Sequence, residues 1–483
     1  MYYHSTRNNN EHFSASEAIL KGLADDGGLF VPSELPNIAN RMDELAKLPY
    51  AKLCHQIICE FFEEFKDDKI FEADIIRAYD KFDSLDILEL KELDGVSYME
   101  LYHGPTCAFK DFALSVLPYE IMAAKRKTGR AGKFAILTAT SGDTGKAALE
   151  AFRGLENFKI AVVYPKNGVS KIQEMQMNST AESNTYVFGL DGNFDDCQTL
   201  VKNMLAEHYE GIDVSSANSI NIGRLVPQVA YYFFTYLKLV KDGQIEQGQK
   251  INFCVPTGNF GDILAGYIAK KMGLPVAKLI CASNSNNILT DFFRTGVYDK
   301  RRKFVVTKSP SMDILISSNF ERLLWFITRD DEYVSGCMND LKENGLFMAK
   351  ELLPFLKDFL ADFATEEETS KEIKRVYKQY GYLIDTHTAV ASAVAEKVKP
   401  EGYTVILSTA NPYKFCTAVL ESLGKKADKK DEFKALEALQ KLTGMVAPYT
   451  LAELKNQKIV HDNTGDISQA RESIRRFLES ENA

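Results

Sequence analysis

Four short stretches carry residue types from which catalysis could be built. In His103-Gly-Pro-Thr-Cys-Ala-Phe-Lys110 a lysine sits among small and apolar residues, just ahead of Asp111-Phe-Ala-Leu114. An amine held there loses hydration, its pKa falls, and its neutral form can attack a carbonyl to give an imine. The same spacing also fits a surface lysine at a helix start. Thr140-Ser-Gly-Asp-Thr-Gly145 follows an apolar run and combines short hydroxyls with the backbone amides of a turn. Aimed from a helix N-terminus, such a turn favours a carboxylate or a phosphate. It is not a P-loop, because Lys146 is followed by alanine and position 140 is not glycine. An ordinary capped turn is the plainer alternative. In Pro256-Thr-Gly-Asn-Phe-Gly-Asp262 two glycines flank Asn259 and Phe260 between a strand and a helix, which suits a phosphate cradled by amides. Asp262 is expected to cap that helix with its carboxylate turned away from the anion. Leu407-Ser-Thr-Ala-Asn-Pro-Tyr-Lys-Phe415 ends a strand with a hydroxyl pair, and alone it reads as turn chemistry.

Each signal is weak by itself. Together they describe an imine-forming lysine, two glycine-rich anion loops and a hydroxyl, all at strand ends. That set matches the needs of pyridoxal phosphate: a lysine for the aldehyde, a cradle for the phosphate and a partner for the pyridine nitrogen.

The elements that must hold these residues are legible from Leu88 onward. Short apolar runs alternate with helical patterns: SYMELY (97–102), KFAILTAT (133–140), FKIAVVYP (158–165), INFCVPTG (251–258), AKLICASN (277–284) and YTVILSTA (403–410). Continuous apolar strands followed by helices indicate mostly parallel sheets covered on both faces, an α/β class whose ligands lie beyond the carboxyl ends of the strands. Residues 1–95 read as a mostly helical region, with Ser14-Ala-Ser-Glu17 as a capping box. Residues 310 to about 380 read as a helical insertion, and the chain closes with a helical extension over 426–483, beginning with the amphipathic ADKKDEFKALEALQKL.

Composition bounds the partners. The 483 residues are 45% hydrophobic and 26% charged, with a formal charge of −9 and no basic block. That argues against nucleic acid and anionic membrane as main partners. Eight scattered cysteines without a Cys-x-x-Cys pair suggest reduced thiols, and the seven histidines lack zinc-type spacing, so no metal is expected. The N-terminus lacks an apolar signal core, and the most apolar stretch, Val229 to Val240, is interrupted by Lys238. A cytoplasmic protein is expected. His387, in LIDTHTAVA, is tempting as an acid but fits a satisfied structural histidine better, and Asp313 in PSMD has no evident role.

The chain resembles the threonine synthase family, pyridoxal-phosphate enzymes with the tryptophan-synthase-β type of fold (fold type II). The resemblance spans nearly the whole length. It rests on the N-terminal STR, FS-x-x-x-AIL-x-GLA-x-DGGLFVP, GPT-x-AFKD, TSGDTG, IQ-x-x-QM (172–177), NSIN-x-x-R (218–224), PTGNFGDILAGY, SPSMDILISSNFERLL (309–324) and STA-x-P-x-KF. It implies a two-lobed core over 96–425 with the cofactor between the lobes, the smaller lobe at about 130–225. Lys110 would hold the cofactor as an imine. Gly258, Asn259, Phe260, Gly261 and Asp262 would form the cofactor-phosphate loop, and Thr409 would bond the pyridine nitrogen. Asp143 stands where the fold type often has asparagine near the cofactor hydroxyl. Ser141, Gly142 and Thr144 would grip the substrate carboxylate. Asn218, Ser219, Asn221 and Arg224 would hold the substrate phosphate, with Arg224 suited to bidentate binding.

The implied reaction turns O-phospho-L-homoserine and water into L-threonine and phosphate, by a monomer or homodimer. Two positions depart from the family pattern: Asn411 replaces a usual histidine, and Lys146 a usual small residue. The rival readings are another pyridoxal-phosphate phospholyase or β-replacing enzyme on the same scaffold, and a non-catalytic relative. A nicotinamide dehydrogenase lacks its glycine fingerprint.

Overall fold

The computed structural model describes residues 1–428 and 431–480. Two largely parallel sheets dominate it. The larger runs in the order Phe359–Phe363, Val276–Ser283, Ile251–Pro256, Thr404–Ser408, Val96–Glu100, Glu89–Leu93. Its strands are parallel except for the last, which returns antiparallel to Val96–Glu100. The smaller sheet runs Asn463–Gly465, Thr185–Leu190, Phe158–Pro165, Lys133–Ala139, Ile212–Ser216, all parallel. Ile251–Pro256 and Phe158–Pro165 are buried at every residue, so both faces of each strand meet apolar cover. On the larger sheet that cover includes the helix Thr386–Val398, which packs across four of its strands. A strand ends at Ala139 in one sheet and at Pro256 and Ser408 in the other, and the loops that follow all open onto one cleft.

Three regions differ from the sequence reading, each for the same physical reason: the strands are too short or too polar to show a period. The first 95 residues contain an antiparallel sheet in the order Asn8–Phe13, Tyr3–Ser5, Phe30–Pro32, as well as the strand Glu89–Leu93. The strand NNNEHF has no apolar alternation to reveal it. Within 310–380, Phe359–Phe363 forms the edge of the larger sheet and Leu346–Met348 pairs with Val297–Asp299. After residue 426 come helices Glu432–Thr443 and Ile467–Glu479, but also the strand Asn463–Gly465, which completes the smaller sheet. Ala470, Ile474 and Leu478, spaced four apart, are the buried stripe of the last helix. Lys429 and Lys430 of the amphipathic stretch, and residues 481–483, lie outside the described residues. All eight cysteines are free and buried. Among the described residues no helix is long and apolar enough to cross a membrane.

Candidate active site

The cleft between the sheets is lined by Lys110, Ser141, Asp143, Thr144, Asn218, Ser219, Arg224, Gly258, Asn259, Gly261, Asp262 and Thr409, which the sequence reading singled out. Lys110 arrives on a loop stitched to the end of strand Thr404–Ser408. The Phe109 amide donates to the Thr409 carbonyl at 2.8 Å, and Ala108 bridges Ala410. Asp111 shapes the loop by accepting from the Thr106 amide at 2.8 Å and its hydroxyl at 2.6 Å. A Cβ at Gly104 would stand 2.5 Å from the Asp111 side chain, so only glycine fits. The Lys110 ammonium lies 4.4 Å from the Phe109 ring centre and has no ion pair or hydrogen bond among the described residues. Burial pulls its pKa down to about 8, against the opposing pull of Asp143. Near neutrality more of this amine is neutral than of an ordinary lysine, the form that can attack a carbonyl.

The loop after Lys133–Ala139 leads into helix Asp143–Phe152 through Gly142 at φ 127°, where a Cβ would stand 2.4 Å from Gln173. Thr140 Oγ1 accepts from the amides of Gly142 at 2.9 Å and Gly145 at 2.8 Å. The amides of Ser141, Asp143 and Thr144 have no acceptor among the described residues, a ready cradle for a carboxylate. Gly142 itself does not line the cleft; its part is the turn.

Asp143 is pinned by three donors: Lys414 Nζ at 2.7 Å, Gln173 Nε2 at 2.9 Å and Ser311 Oγ at 3.1 Å. Burial alone would raise its pKa, but Lys414 and Lys110 hold the carboxyl well below the usual range. Lys414 is fully buried and also donates to the Thr106 carbonyl at 2.8 Å. Sequence reasoning missed Lys414, Gln173 and Ser311 as a set, although each lies in one of the quoted signature stretches. The departure at Lys146 is met locally, since its ammonium lies 3.3 Å from Glu150 and 3.1 Å from the Thr180 hydroxyl.

The third strand-end loop opens helix Gly261–Lys271. Its amides from Gly258 to Gly261 have no acceptor among the described residues, the arrangement a phosphate uses at a helix start. A Cβ at Gly258 would lie 2.7 Å from the Ser311 carbonyl oxygen. Phe260 adopts φ 64° and contributes backbone only; its ring packs against Phe293, Phe320 and Phe359, outside the cleft. Asp262 does not cap the helix as expected. It sits inside the first turn, accepts the Ile263 amide at 2.9 Å and lines the cleft. Burial pushes its pKa up to about 6, which lessens its repulsion of an anion nearby.

The segment Asn218–Arg224 divides its work. Arg224 is 3% exposed, bonds the Ala217 carbonyl through one terminal nitrogen, and leaves Nε without a partner among the described residues. Among the described residues no carboxylate pairs with it, and burial lowers its pKa to about 10. A buried cation of this kind is costly until an anion arrives. The amides of Ser219 and Ile220 have no acceptor among the described residues. Asn218 clasps the end of the neighbouring strand through both backbone atoms of Ala139, at 3.1 Å and 2.7 Å. Asn221 does not line the cleft: it caps the helix Ile222–Leu225 and donates to the Ile19 carbonyl at 3.0 Å.

Three further residues raised by the sequence, of which only His387 lines the cleft, are engaged within the protein. His387 accepts the Ser311 amide on Nε2 at 3.1 Å, so its proton is on Nδ1, which faces Asp385 at 2.9 Å. That satisfies both ring nitrogens. Asp313 accepts from Asn284 and Asn286, at 2.8 Å and 2.9 Å, and from Thr307. Asn411 caps the turn at Pro412–Phe415 through the Tyr413 amide at 3.1 Å, so a histidine there is not needed to hold the chain. Thr409 lines the cleft, and its hydroxyl has no protein partner among the described residues.

These residues fit pyridoxal phosphate: an unpaired lysine, a run of four free amides and a free neutral hydroxyl meet in one cleft. Family models match along the chain as threonine synthase N terminus (residues 2–79), pyridoxal-phosphate dependent enzyme (87–338) and threonine synthase, C-terminal (388–457). A threonine synthase from Schizosaccharomyces pombe is 38% identical over 467 residues, covering 88% of this chain and 90% of that protein. The crystal structure of a PLP-bound threonine synthase from Brucella melitensis superposes with a TM-score of 0.87 at 37% identity, covering 99% of this chain and 100% of that one. A threonine synthase from yeast gives the same TM-score at 34% identity, covering 99% and 98%. With more than a third of the residues identical over nearly the whole of both chains and the fold shared, the chain belongs to the threonine synthase family, pyridoxal-phosphate enzymes of fold type II.

Proposed function

We propose that the protein converts O-phospho-L-homoserine and water into L-threonine and phosphate, with pyridoxal phosphate held through Lys110. Arg224 carries this reading: a buried guanidinium, its Nε unpartnered among the described residues, that lines the same cleft as Lys110 calls for a second anion beside the cofactor's own phosphate. A substrate bearing both a carboxylate and a phosphate ester supplies the partners that the amides around Ser141 and Thr144, and then Arg224, lack.

When bound, the cofactor supplies an electron sink for charge developing on the substrate carbons. Lys110, the residue that would hold the cofactor, would take the substrate α-proton on Nζ; a pKa of about 8 suits that exchange. Arg224 and the amides of Ser219 and Ile220 hold the ester phosphate and stabilise it as it leaves. Thr409, being a neutral hydroxyl, cannot keep the pyridine nitrogen protonated. Selection of the carbon to be deprotonated therefore falls to Lys110 and the anion loops.

The net charge of −9 and eight buried free thiols support a cytoplasmic protein acting on a small molecule, and the family resemblance implies a monomer or homodimer. The deciding assay supplies phosphohomoserine and pyridoxal phosphate and measures threonine and phosphate. Equal amounts of both are expected. Phosphate with ammonia and a keto acid, and no threonine, would show the phospholyase alternative instead.

A further inference from the structure

Behind the two phosphate-facing loops lies a segment with no place in the reaction just described. It runs from Ser317 to Arg322 and turns into helix Phe320–Thr328. Arg322 is fully buried. Its guanidinium has no carboxylate partner among the described residues: the adjacent Glu321 is taken by Arg7 at 2.8 Å. Carbonyl oxygens answer the charge instead. Nε donates to Phe30 at 3.0 Å, Nη1 to Ser219 at 3.1 Å, and Nη2 to Ile220 at 2.6 Å, while Nη1 also bonds the Asn319 side-chain oxygen. Asn319 in turn places both its backbone amide (3.0 Å) and its side-chain amide (3.1 Å) on the Asn259 carbonyl. Ser317 Oγ takes the Gly258 carbonyl at 2.7 Å.

One segment thus captures the carbonyls of Gly258, Asn259 and Ser219. In a trans peptide the carbonyl and the following N–H point in opposite directions. Holding those three oxygens on one side turns the amides of Asn259, Phe260 and Ile220 to the other. None of those three amides has an acceptor among the described residues. Directly after the two captured carbonyls, Phe260 takes a left-handed φ of 64°, unusual for a side chain with a Cβ.

We propose that Arg322 is a positioning residue which, with Asn319 and Ser317, aims the amides of the cofactor-phosphate loop and of the substrate-phosphate loop into the cleft from a single buried brace. The brace also gives the N-terminal region a part in the site, since the Phe30 carbonyl is one of its anchors. The inference rests on the proposed roles of the two loops.

The test measures binding to the apoprotein. Pyridoxal 5'-phosphate and pyridoxal, which lacks the phosphate, are titrated against wild type, Arg322→Lys, Asn319→Ala and Ser317→Ala, with circular dichroism to check folding. Wild type should prefer the phosphorylated aldehyde strongly. Arg322→Lys should cut that preference about tenfold or more, and the other two by about threefold to tenfold, while affinity for pyridoxal stays within twofold. In the loaded enzyme Arg322→Lys should also raise the KM for phosphohomoserine more than it lowers kcat. Equal weakening for both aldehydes, or an unchanged preference, overturns the brace. Should Arg322→Lys fail to fold, Asn319→Ala and Ser317→Ala decide the matter by the same ratio. A wild type that makes threonine but whose variants keep full preference sinks this inference alone; a wild type that makes no threonine sinks the functional reading.

Discussion

Lys414 and Lys110 both feel the Asp143 carboxylate, yet they are satisfied in opposite ways. Lys414 is fully buried, 2.7 Å from Asp143 and bonded to the Thr106 carbonyl. Lys110 has no bonded partner among the described residues, and burial brings its pKa to about 8. Arg224 resembles Lys110 in lacking an anion, whereas Arg322 spreads its charge over carbonyl groups. The difference separates cations that build the cleft from cations that wait for a ligand. A paired buried charge costs little more once made, while an unpaired one keeps its desolvation penalty until something binds. Binding specificity here is written in what the protein leaves unsatisfied.

Breaking the waiting class at Lys110 should have the largest effect. Lys110→Ala should lower threonine formation by about 10³-fold or more, and borohydride treatment should leave no label on the peptide containing residue 110. Breaking the paired class should show in stability instead. Asp143→Asn and Lys414→Met, each stranding one buried partner, should each cost about 3 kcal/mol in denaturant unfolding of the apoprotein, and the double variant should recover much of the loss. The Asp143 share of that stability is fully present above the usual carboxylate range and is lost as pH falls from that range through the depressed folded pKa. Arg224→Lys should raise the KM for phosphohomoserine about 30-fold, near 2 kcal/mol, since a point charge replaces a planar fork.

The comparison also sharpens with pH. The neutral amine is the attacking form, so capture of pyridoxal phosphate by the apoprotein should rise with pH and level off above about 8, as followed by stopped-flow absorbance. A rise continuing to the ordinary lysine range would mean that Lys110 is hydrated. Between pH 8 and that range the unfolded chain binds more protons at this residue, so its contribution to folded-state stability should improve as pH climbs. Lys146→Ala, which removes a lysine already matched by Glu150, should alter kcat/KM less than twofold.

What the sequence made legible follows from the kind of signal each residue leaves. Continuous apolar runs exposed the parallel strands, and glycines forced by close contact, such as Gly142 and Gly258, marked the turns between them and the helices. Lys110 stood out because a lysine among small residues is unusual. Lys414 did not, because its partner Asp143 is 271 positions away in the chain and only the packed sheets bring them together. Asp262 misled for a local reason: an aspartate beside glycine looks like a cap, but the left-handed Phe260 takes that position and pushes Asp262 into the first turn. Asn221 looked like a phosphate ligand, yet its side chain is spent on Ile19 and the Gly223 amide. The polar strand Asn8–Phe13 and the brief Asn463–Gly465 carry no period at all.

That last strand has a consequence for handling the protein. Asn463–Gly465 borders Thr185–Leu190 and covers what would otherwise be a bare sheet margin. Shortening the chain before residue 460 would uncover a row of hungry backbone groups and the greasy floor beneath Ile474 and Leu478, and such a margin recruits other molecules. Clumping on storage, rather than slower turnover, would be the first sign of trimming at that end.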